Sequence, residues 1–422
     1  MNKTLLRNSF VYIVAEFINR AFPFFLLPIL TRFLSPEDYG ILATFSVLVS
    51  ILIVLVGVNT HGAISVNFFK LDREKIRVYI ANIFIVLGSS MIVFLVLTLV
   101  FGEYFSRILS IPEEWIVVAV VIAGMQFITT VNLMLWTLEK NPKAYAIYQI
   151  IQSLFVVVLT LVFIIGIGMK WEGQVLAKAI ATIVFSLISV IYIIKRRYLK
   201  FKLDTSFIRD ALKFSAPLVP YSLAAWVRNG ADKFLIVALV GTSATGLYSV
   251  GYQIGLIVSV LITAVNKAWG PYLLKILNTI PTEQEKKKFV VMTYGYGLGL
   301  LLFAYTLGVL AELFMPILVG EEFSGASEFV FWIALAYAFQ GMNYMVVGYL
   351  FFQKKTVALA VSNVMIAIFH IALGYALIIS LGPIGAAYAT VISFFISFVW
   401  TWWLSQKAYP MPWNIFKKRN NG

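Results

Sequence analysis

The feature of this sequence that most limits its fold is a series of long apolar runs separated by short polar connections. The runs lie near residues 9–31, 40–66, 78–101, 114–137, 143–168, 173–194, 213–240, 245–272, 290–319, 325–350, 357–381 and 384–405. A helix of roughly 20 apolar residues spans the hydrocarbon core of a bilayer, and in lipid only helices and closed barrels satisfy their own backbone hydrogen bonds. The sequence therefore predicts an all-α, polytopic membrane protein with about twelve transmembrane helices.

Composition supports a membrane protein and excludes several other classes. Hydrophobic residues make up 61% of the chain and charged residues 12%, whereas about a quarter of a soluble domain is charged. The net charge of +14 does not indicate nucleic-acid binding, because the basic residues are spread over short loops. The chain has no cysteine, which excludes disulfides and thiolate metal sites, and no cofactor or metal is expected.

The first apolar run is too long for the core of a signal peptide, so we expect it to be a membrane helix.

Lysine and arginine residues concentrate in alternate connections, which is the pattern of the positive-inside rule. The basic set includes the N-terminus, the central loop Lys195–Leu212 and the C-terminal tail. The connections on the other side of the membrane contain few basic residues, namely Arg32, Arg107, Lys170 and Lys178. We therefore expect a multi-pass protein with both termini in the cytoplasm.

The two halves of the sequence resemble each other when the chain is shifted by 206 residues. The shift places Gly40 on Gly246, and it places the segment 36–41, expected to be a reentry loop, on 242–247. Each half holds six predicted helices. Because six is an even number, both halves would have the same orientation, with a binding site between them.

This repeat defines the predicted domain organisation. Residues 1–194 are expected to form an N-terminal six-helix bundle, and residues 213–406 a C-terminal one. Residues 195–212 would be a basic cytoplasmic linker, and 407–422 a cytoplasmic tail.

Two predicted helices that open the two halves of the repeat carry polar stripes. A charge at the bilayer centre costs roughly 2.5–3.5 kcal/mol on insertion scales, so charges placed there indicate function. The stripe of the first helix contains Tyr12, Glu16, Asn19, Arg20 and Pro23. The stripe of the seventh helix contains Tyr221, Arg228, Asn229 and Asp232. The spacing places each set on one helical face, and we expect the two faces to line a central cleft.

A structural interpretation of these charges stays open. Glu16–Arg20 and Arg228–Asp232 are each four residues apart, so they could be ion pairs that only neutralise each other. Lys233 has no acidic residue one turn away. Pairing therefore does not explain the whole set.

Further polar residues lie in other predicted helices. His61 falls on Lys267 under the repeat shift, and both are expected near the cytoplasmic ends of their helices. Lys267 either attracts an anionic substrate or snorkels to the lipid headgroups. His61 is either a ligand or a neutral histidine hydrogen-bonded between helices, and His370 is interpreted as structural.

Three segments make the chain resemble a known family. They are 31–40 (TRFLSPEDYG), 246–249 (GLYS) and 267–272 (KAWGPY). Together with twelve predicted helices and a six-plus-six repeat, they resemble the bacterial oligosaccharide flippases, also called O-antigen or Wzx-like flippases. These flippases belong to a superfamily that also contains the MATE exporters and the lipid II flippases. Lipid II flippases usually have two extra helices, for which this chain has no room.

The resemblance covers nearly the whole chain and implies a MATE-like, V-shaped pair of bundles in the bacterial inner membrane. The substrate would be an oligosaccharide on an undecaprenyl pyrophosphate carrier, moved outward for O-antigen, capsule or exopolysaccharide biosynthesis, with H⁺ or Na⁺ as coupling ion. A cationic cleft suits a pyrophosphate, because arginine makes bidentate contacts with phosphate and lysine supplies a point charge. The expected substrate-binding residues are Asn19, Arg20, His61, Arg228, Asn229, Lys233 and Lys267. The expected ion-coupling residues are Glu16 and Asp232.

Two other function classes fit the sequence less well. A MATE-type exporter of drugs or organic cations would have an acidic, aromatic site, whereas here deep cations outnumber Glu16 and Asp232. A membrane enzyme would need a large outer loop or a soluble domain with catalytic acids, and no outer connection exceeds about a dozen residues. We therefore expect a transporter and not an enzyme.

The absence of native cysteine allows the orientation to be tested by single-cysteine labelling. Asp72→Cys and Asp204→Cys should react with an impermeant maleimide only from the cytoplasmic side, because both lie in basic connections. Ser110→Cys and Ser324→Cys should react only from outside. Reaction of all four from one side would contradict the predicted orientation.

Overall fold

The computed structural model describes residues 3–279 and 281–414, and it does not describe the side chains of residues 3–10, 13, 16 and 20. Helix is the regular secondary structure of the described residues, with a π-helical turn at Val162–Gly166 and a 3₁₀ segment at Glu321–Ala326. The α-helices are α1 (Lys3–Phe33), α2 (Pro36–Gly57), α3 (His61–Asn67), α4 (Arg73–Leu109), α5 (Glu113–Leu138), α6 (Pro142–Leu161), α7 (Trp171–Lys195), α8 (Thr205–Ser215), α9 (Leu218–Leu239), α10 (Thr242–Gly255), α11 (Ile257–Leu277), α12 (Glu283–Leu318), α13 (Ser327–Phe352), α14 (Thr356–Leu381) and α15 (Ile384–Ala408).

Each predicted apolar run coincides with one of these helices or with a consecutive pair. Among the described residues, ten helical stretches are long and apolar enough to cross a membrane. α1 and α9, with 31 and 22 residues, are long enough as well and carry the charged stripes. α10 and α11 make one crossing that is interrupted at Leu256. The prediction of an all-α, polytopic membrane protein is confirmed.

The contacts divide the chain into two compact units, Met1–Gly246 and Leu247–Gly422. In the first unit, α5 is the central helix and packs against α2, α4 and α7, while α1 packs on α6 and α9 packs on α2. In the second unit, α13 is central and packs against α11, α12 and α15. The predicted boundaries around the linker 195–212 follow the repeat and stay a prediction.

α13 and α15 pack together in the second unit and are joined by side-chain hydrogen bonds. Small residues such as the buried Ala386 of α15 allow membrane helices to approach closely. Asn343 of α13 donates from Nδ2 to Ser397 Oγ (3.2 Å) and to Thr401 Oγ1 (3.0 Å) of α15. Close packing and interhelical hydrogen bonds therefore act on the same pair of helices.

The segment 36–41, expected to be a loop, is the first turn of α2, so that prediction is wrong. Ser35 Oγ accepts a hydrogen bond from Asp38 N–H (3.2 Å), and the Asp38 carboxylate accepts one from Ser35 N–H (3.1 Å). This capping box satisfies backbone donors that a helix start leaves unpaired. Pro36 suits the first helical position, because its missing N–H would have had no helical partner.

α2 and α10 cross at Gly40 and Gly246, the two glycines that the repeat aligns. A Cβ on Gly40 would lie 1.9 Å from the carbonyl oxygen of Thr242, and a Cβ on Gly246 would lie 1.9 Å from that of Pro36. Pro36 and Thr242 are also related by the repeat shift, so each helix makes the same contact with the other. This reciprocal contact supports the repeat and requires glycine at both positions.

The residues between α7 and α8 are fastened to the first unit. Asn82 of α4 donates from Nδ2 to the carbonyl of Lys202 (2.8 Å) and accepts at Oδ1 from Asp204 N–H (3.0 Å). Asp204 in turn accepts from Ser206 N–H (3.0 Å) and so caps α8. The central connection, expected to be a basic linker, therefore contains α8, an amphipathic helix that was not predicted from the sequence.

A polar network holds the same connection at the ends of α5 and α7. Arg196 donates to Asn132 Oδ1 and pairs with Glu139 (2.8 Å). Tyr198 O–H donates to the same Glu139 (2.5 Å), and the Arg73 guanidinium lies 3.8 Å from the centre of the Tyr198 ring. Burial, followed by the hydrogen bond to Glu139, raises the pKa of Tyr198. These contacts leave the chain little freedom where it leaves α7.

The crossing at Gly40 predicts a specific sensitivity to one methyl group. Gly40→Ala should destabilise the protein by roughly 1–3 kcal/mol, because an overpacked contact must be relieved by moving backbone. The measurement is the melting temperature of purified protein in detergent. Gly299→Ala is the matched control, since a Cβ there meets nothing within 4 Å. Equal melting temperatures for both variants would contradict the close crossing.

Candidate functional site

α9 uses one face to bind α2 and another to carry charge. Trp226 Nε1–H donates to Ser50 Oγ (2.9 Å) and to the carbonyl of Val47 (3.2 Å). A Cβ on Gly230, one turn along, would lie 3.2 Å from Val47 Cγ1. Arg228 lies two positions from both Trp226 and Gly230. With 3.6 residues per turn, it therefore projects from the side of α9 that faces away from α2.

The predicted stripe on α9 has a buried acid between partly exposed cations. Asp232 is 2% exposed, Arg228 and Lys233 are half-buried, and Asn229 is exposed. An Asp232 carboxylate oxygen accepts from the backbone N–H of Lys233 (3.0 Å), and Asn229 Nδ2 donates to the carbonyl of Ala225 (2.6 Å). Burial of a carboxylate is tolerated when positive charge offsets it, and the flanking cations provide that charge.

The α1 stripe is described only in part. The side chains of Glu16 and Arg20 lie outside the described residues, so their predicted roles stay predictions. Asn19 donates from Nδ2 to Gln149 Oε1 (3.0 Å), and its Oδ1 accepts from Ser153 Oγ (2.7 Å). Both ends of the amide are therefore engaged by α6. A substrate that binds Asn19 would have to displace these hydrogen bonds.

His61 stands at a strained turn between α2 and α3. Val58 and Asn59, just before it, have φ values of 47° and 53°, and this left-handed region is unfavourable for a β-branched residue such as valine. The His61 ring lies edge-on to Phe127 of α5, with centroids 5.8 Å apart. Its buried Nδ1 has no hydrogen-bond partner among the described residues. Both interpretations of His61, a ligand or a neutral histidine between helices, stay predictions.

Lys267 lies in α11 of the second unit, on the opposite side from a buried anchor. Trp269 is 6% exposed and donates from Nε1 to the carbonyl of Met345 (3.2 Å). Lys267 is two residues earlier and exposed, so it projects away from this core. Substrate attraction and snorkelling both require this exposure, and both stay predictions for Lys267.

Lys178 is a further cation that its sequence position did not identify. By its place in the chain it counts with the outer connections, but it lies in the third turn of α7 and is half-buried. Among the described residues it has no hydrogen-bond or ion-pair partner. The predicted run 173–194 already contains Lys178, so its position within that run is the signal that places it in the membrane helix and not in a connection.

His370 has the structural role expected of it. The side chain is 1% exposed, and Nδ1 lies 3.1 Å from Ser393 Oγ of α15. It therefore joins α14 to α15.

The comparison with protein families identifies the class of the chain. Residues 5–277 match the family model described as polysaccharide biosynthesis protein. This match covers more than half of the sequence, and the chain belongs to that family. The expected resemblance to polysaccharide flippases is confirmed at this level.

Two relatives extend the match over most of the sequence. "Lsg locus putative protein 1" of Haemophilus influenzae is 24% identical over 87% of this chain and 89% of its own length. The "Succinoglycan biosynthesis transport protein ExoT" of Rhizobium meliloti is 23% identical over 77% of this chain and 64% of its own length.

Two solved structures show the fold. The lipid II flippase MurJ, in an inward closed conformation, has a TM-score of 0.73 at 15% identity, covering 94% of this chain and 87% of that one. A Vibrio cholerae MATE transporter has a TM-score of 0.61 at 14% identity, covering 96% of both chains. The fold is therefore MATE-like, as predicted. Family and fold together place the chain among membrane transport proteins and not among enzymes.

Proposed function

We propose that this protein is a flippase that moves an undecaprenyl-pyrophosphate-linked oligosaccharide from the cytoplasmic to the outer leaflet of the bacterial inner membrane. The observation that carries the proposal is α9, a membrane helix with two cations, Arg228 and Lys233, and one buried acid, Asp232. Membership in the polysaccharide biosynthesis family supports the substrate class.

The charge of α9 fits the chemistry of a lipid-linked pyrophosphate. A diphosphate is anionic at neutral pH, and Arg228 can bind it through two parallel hydrogen bonds. Lys233 and Lys178 add point charges in the same unit. In this proposal the headgroup and sugars cross along the polar helix faces by alternating access, while the prenyl tail stays in lipid.

Asp232 provides a basis for coupling to an ion gradient. A carboxylate four residues from Arg228 competes with an anionic substrate for that arginine. Protonation of Asp232, or Na⁺ binding to it, would release Arg228 for the pyrophosphate. We propose the same relation between Glu16 and Arg20 on α1.

A MATE-type exporter of organic cations is the alternative that the fold also allows. An organic cation would be repelled by Arg228, Lys233 and Lys178. In the transport assay, uptake of organic cations without transport of lipid-linked oligosaccharide would favour this alternative over the flippase.

The proposal predicts a strong dependence of transport on Arg228. In proteoliposomes with a defined lipid-linked oligosaccharide, Arg228→Ala should lower the initial flipping rate about ten- to a hundredfold, since a charge-assisted hydrogen bond contributes about 1.5–3 kcal/mol. Arg228→Lys should keep part of the activity. Arg107→Ala is the matched control, because Arg107 forms a surface ion pair with Glu103. Normal flipping by folded Arg228→Ala would remove the arginine from the mechanism.

Coupling is tested in the same vesicles with and without H⁺ or Na⁺ gradients. Asp232→Asn should flip at a rate that no longer responds to the gradient, because the amide cannot take up the coupling ion, while headgroup binding is kept. Asp72→Asn, at an exposed helix cap, is the control. An unchanged gradient response in Asp232→Asn would exclude this residue as the coupling site.

A further inference from the structure

The connection between α7 and α8 exposes large apolar side chains outside the predicted helices. Phe201 and Leu203 are 76% and 65% exposed, and they alternate with the exposed lysines Lys200 and Lys202. We call residues 200–203 the strap. Exposed apolar residues at consecutive alternate positions mark an interaction surface more often than isolated ones do.

The strap is held rigidly by α4. Lys200 N–H donates to the carbonyl of Arg77 (3.3 Å), and the carbonyl of Lys202 accepts from Asn82 Nδ2 (2.8 Å). Lys200 Nζ also pairs with Glu74 (2.7 Å). These bonds fix the backbone against α4, so the exposure of Phe201 and Leu203 is a property of the fold and not of a loose loop.

The length of α4 gives the depth of the strap relative to the membrane. α4 has 37 residues, and its exposed ion pair Glu103–Arg107 marks the end opposite the strap. A hydrocarbon core of about 30 Å corresponds to roughly 20 helical residues. A stretch of that length that ends just before Glu103 begins next to Asn82, whose side chain binds the strap. Phe201 and Leu203 therefore lie at the boundary between hydrocarbon and headgroups.

We propose that the strap is a membrane-surface anchor that inserts Phe201 and Leu203 into the leaflet on the basic side of the protein and binds anionic lipid headgroups through Lys202. Aromatic and aliphatic side chains are stable at this depth, and a lysine beside them attracts acidic phospholipids. The depth and the adjacent lysine favour a lipid surface over a protein partner. The anchor is independent of the transported substrate.

Spin labels test the insertion in the full-length protein, since the chain contains no cysteine of its own. Phe201→Cys and Leu203→Cys would carry nitroxides in liposomes of phosphatidylcholine with phosphatidylglycerol, and Lys287→Cys on the exposed start of α12 is the control. Oxygen concentrates in the hydrocarbon, whereas a water-soluble nickel chelate stays in the aqueous phase. We therefore expect oxygen to relax the labels at residues 201 and 203 more strongly than the nickel chelate does. At residue 287 the nickel chelate should have the stronger effect. Nickel-accessible strap labels would overturn the proposal. Labels shielded from both reagents would overturn it too, in favour of a protein partner or a second copy of the chain.

The lipid charge requirement is tested with charge-removing variants. Phosphatidylglycerol should increase the depth of the Phe201→Cys label in the parent protein, and this increase should be lost in Lys202→Gln, which leaves the Lys200–Glu74 pair in place. Lys287→Gln removes the same charge from an exposed helix start and should keep the response. A response that survives in Lys202→Gln would overturn the role of this lysine in headgroup binding.

Discussion

The backbone contact between α2 and α10 is the constraint on which the rest of the first unit depends. Gly40 and Gly246 let the first turns of the two helices each place a carbonyl oxygen where a side chain would otherwise lie, so residues 36–40 cannot shift against residues 242–246 without a steric clash. The capping box at Ser35 fixes where α2 begins, and hence which residue reaches the crossing. From this fixed end, α2 runs past Val47 and Ser50, which receive the indole of Trp226.

One face of α9 is bound to α2 through neutral residues. Its other face is therefore free of packing contacts with α2 and can carry the charged residues. Ser222, Trp226 and Gly230 follow one another at helical spacing, and the first two hydrogen-bond to the α2 side of the unit. Arg228, two positions from both Trp226 and Gly230, must then point away from α2. The rotation of α9 about its axis is therefore set by neutral contacts, and the charged residues need not stabilise the fold themselves.

The sequence predicted the membrane helices well because the bilayer fixes their length and apolar character, and every predicted run contains a helix. It predicted a loop at 36–41, although Ser-Pro-Glu-Asp is a readable capping sequence. It did not predict α8, although Phe207, Ile208, Ala211 and Leu212 recur at helical spacing, because the helix has only eleven residues and the basic segment that contains it was interpreted as a linker. The partners of Asn19 on α6 depend on tertiary packing, which no local pattern contains. The stripe on α9 was readable because charges inside an apolar run are costly and therefore rare.

Charged residues of the first unit occur both at its surface and inside its helices. At the surface, Lys200 pairs with Glu74, and Arg196 pairs with Glu139. Inside the helices, α9 places two cations beside one acid, and α7 adds Lys178. A surplus of positive charge in low dielectric is costly unless an anion offsets it. A pyrophosphate headgroup, with one ionised group on each phosphorus, is an anion of the right magnitude. In the proposed function, Arg228, Lys233 and Lys178 supply positive charge that matches this anion.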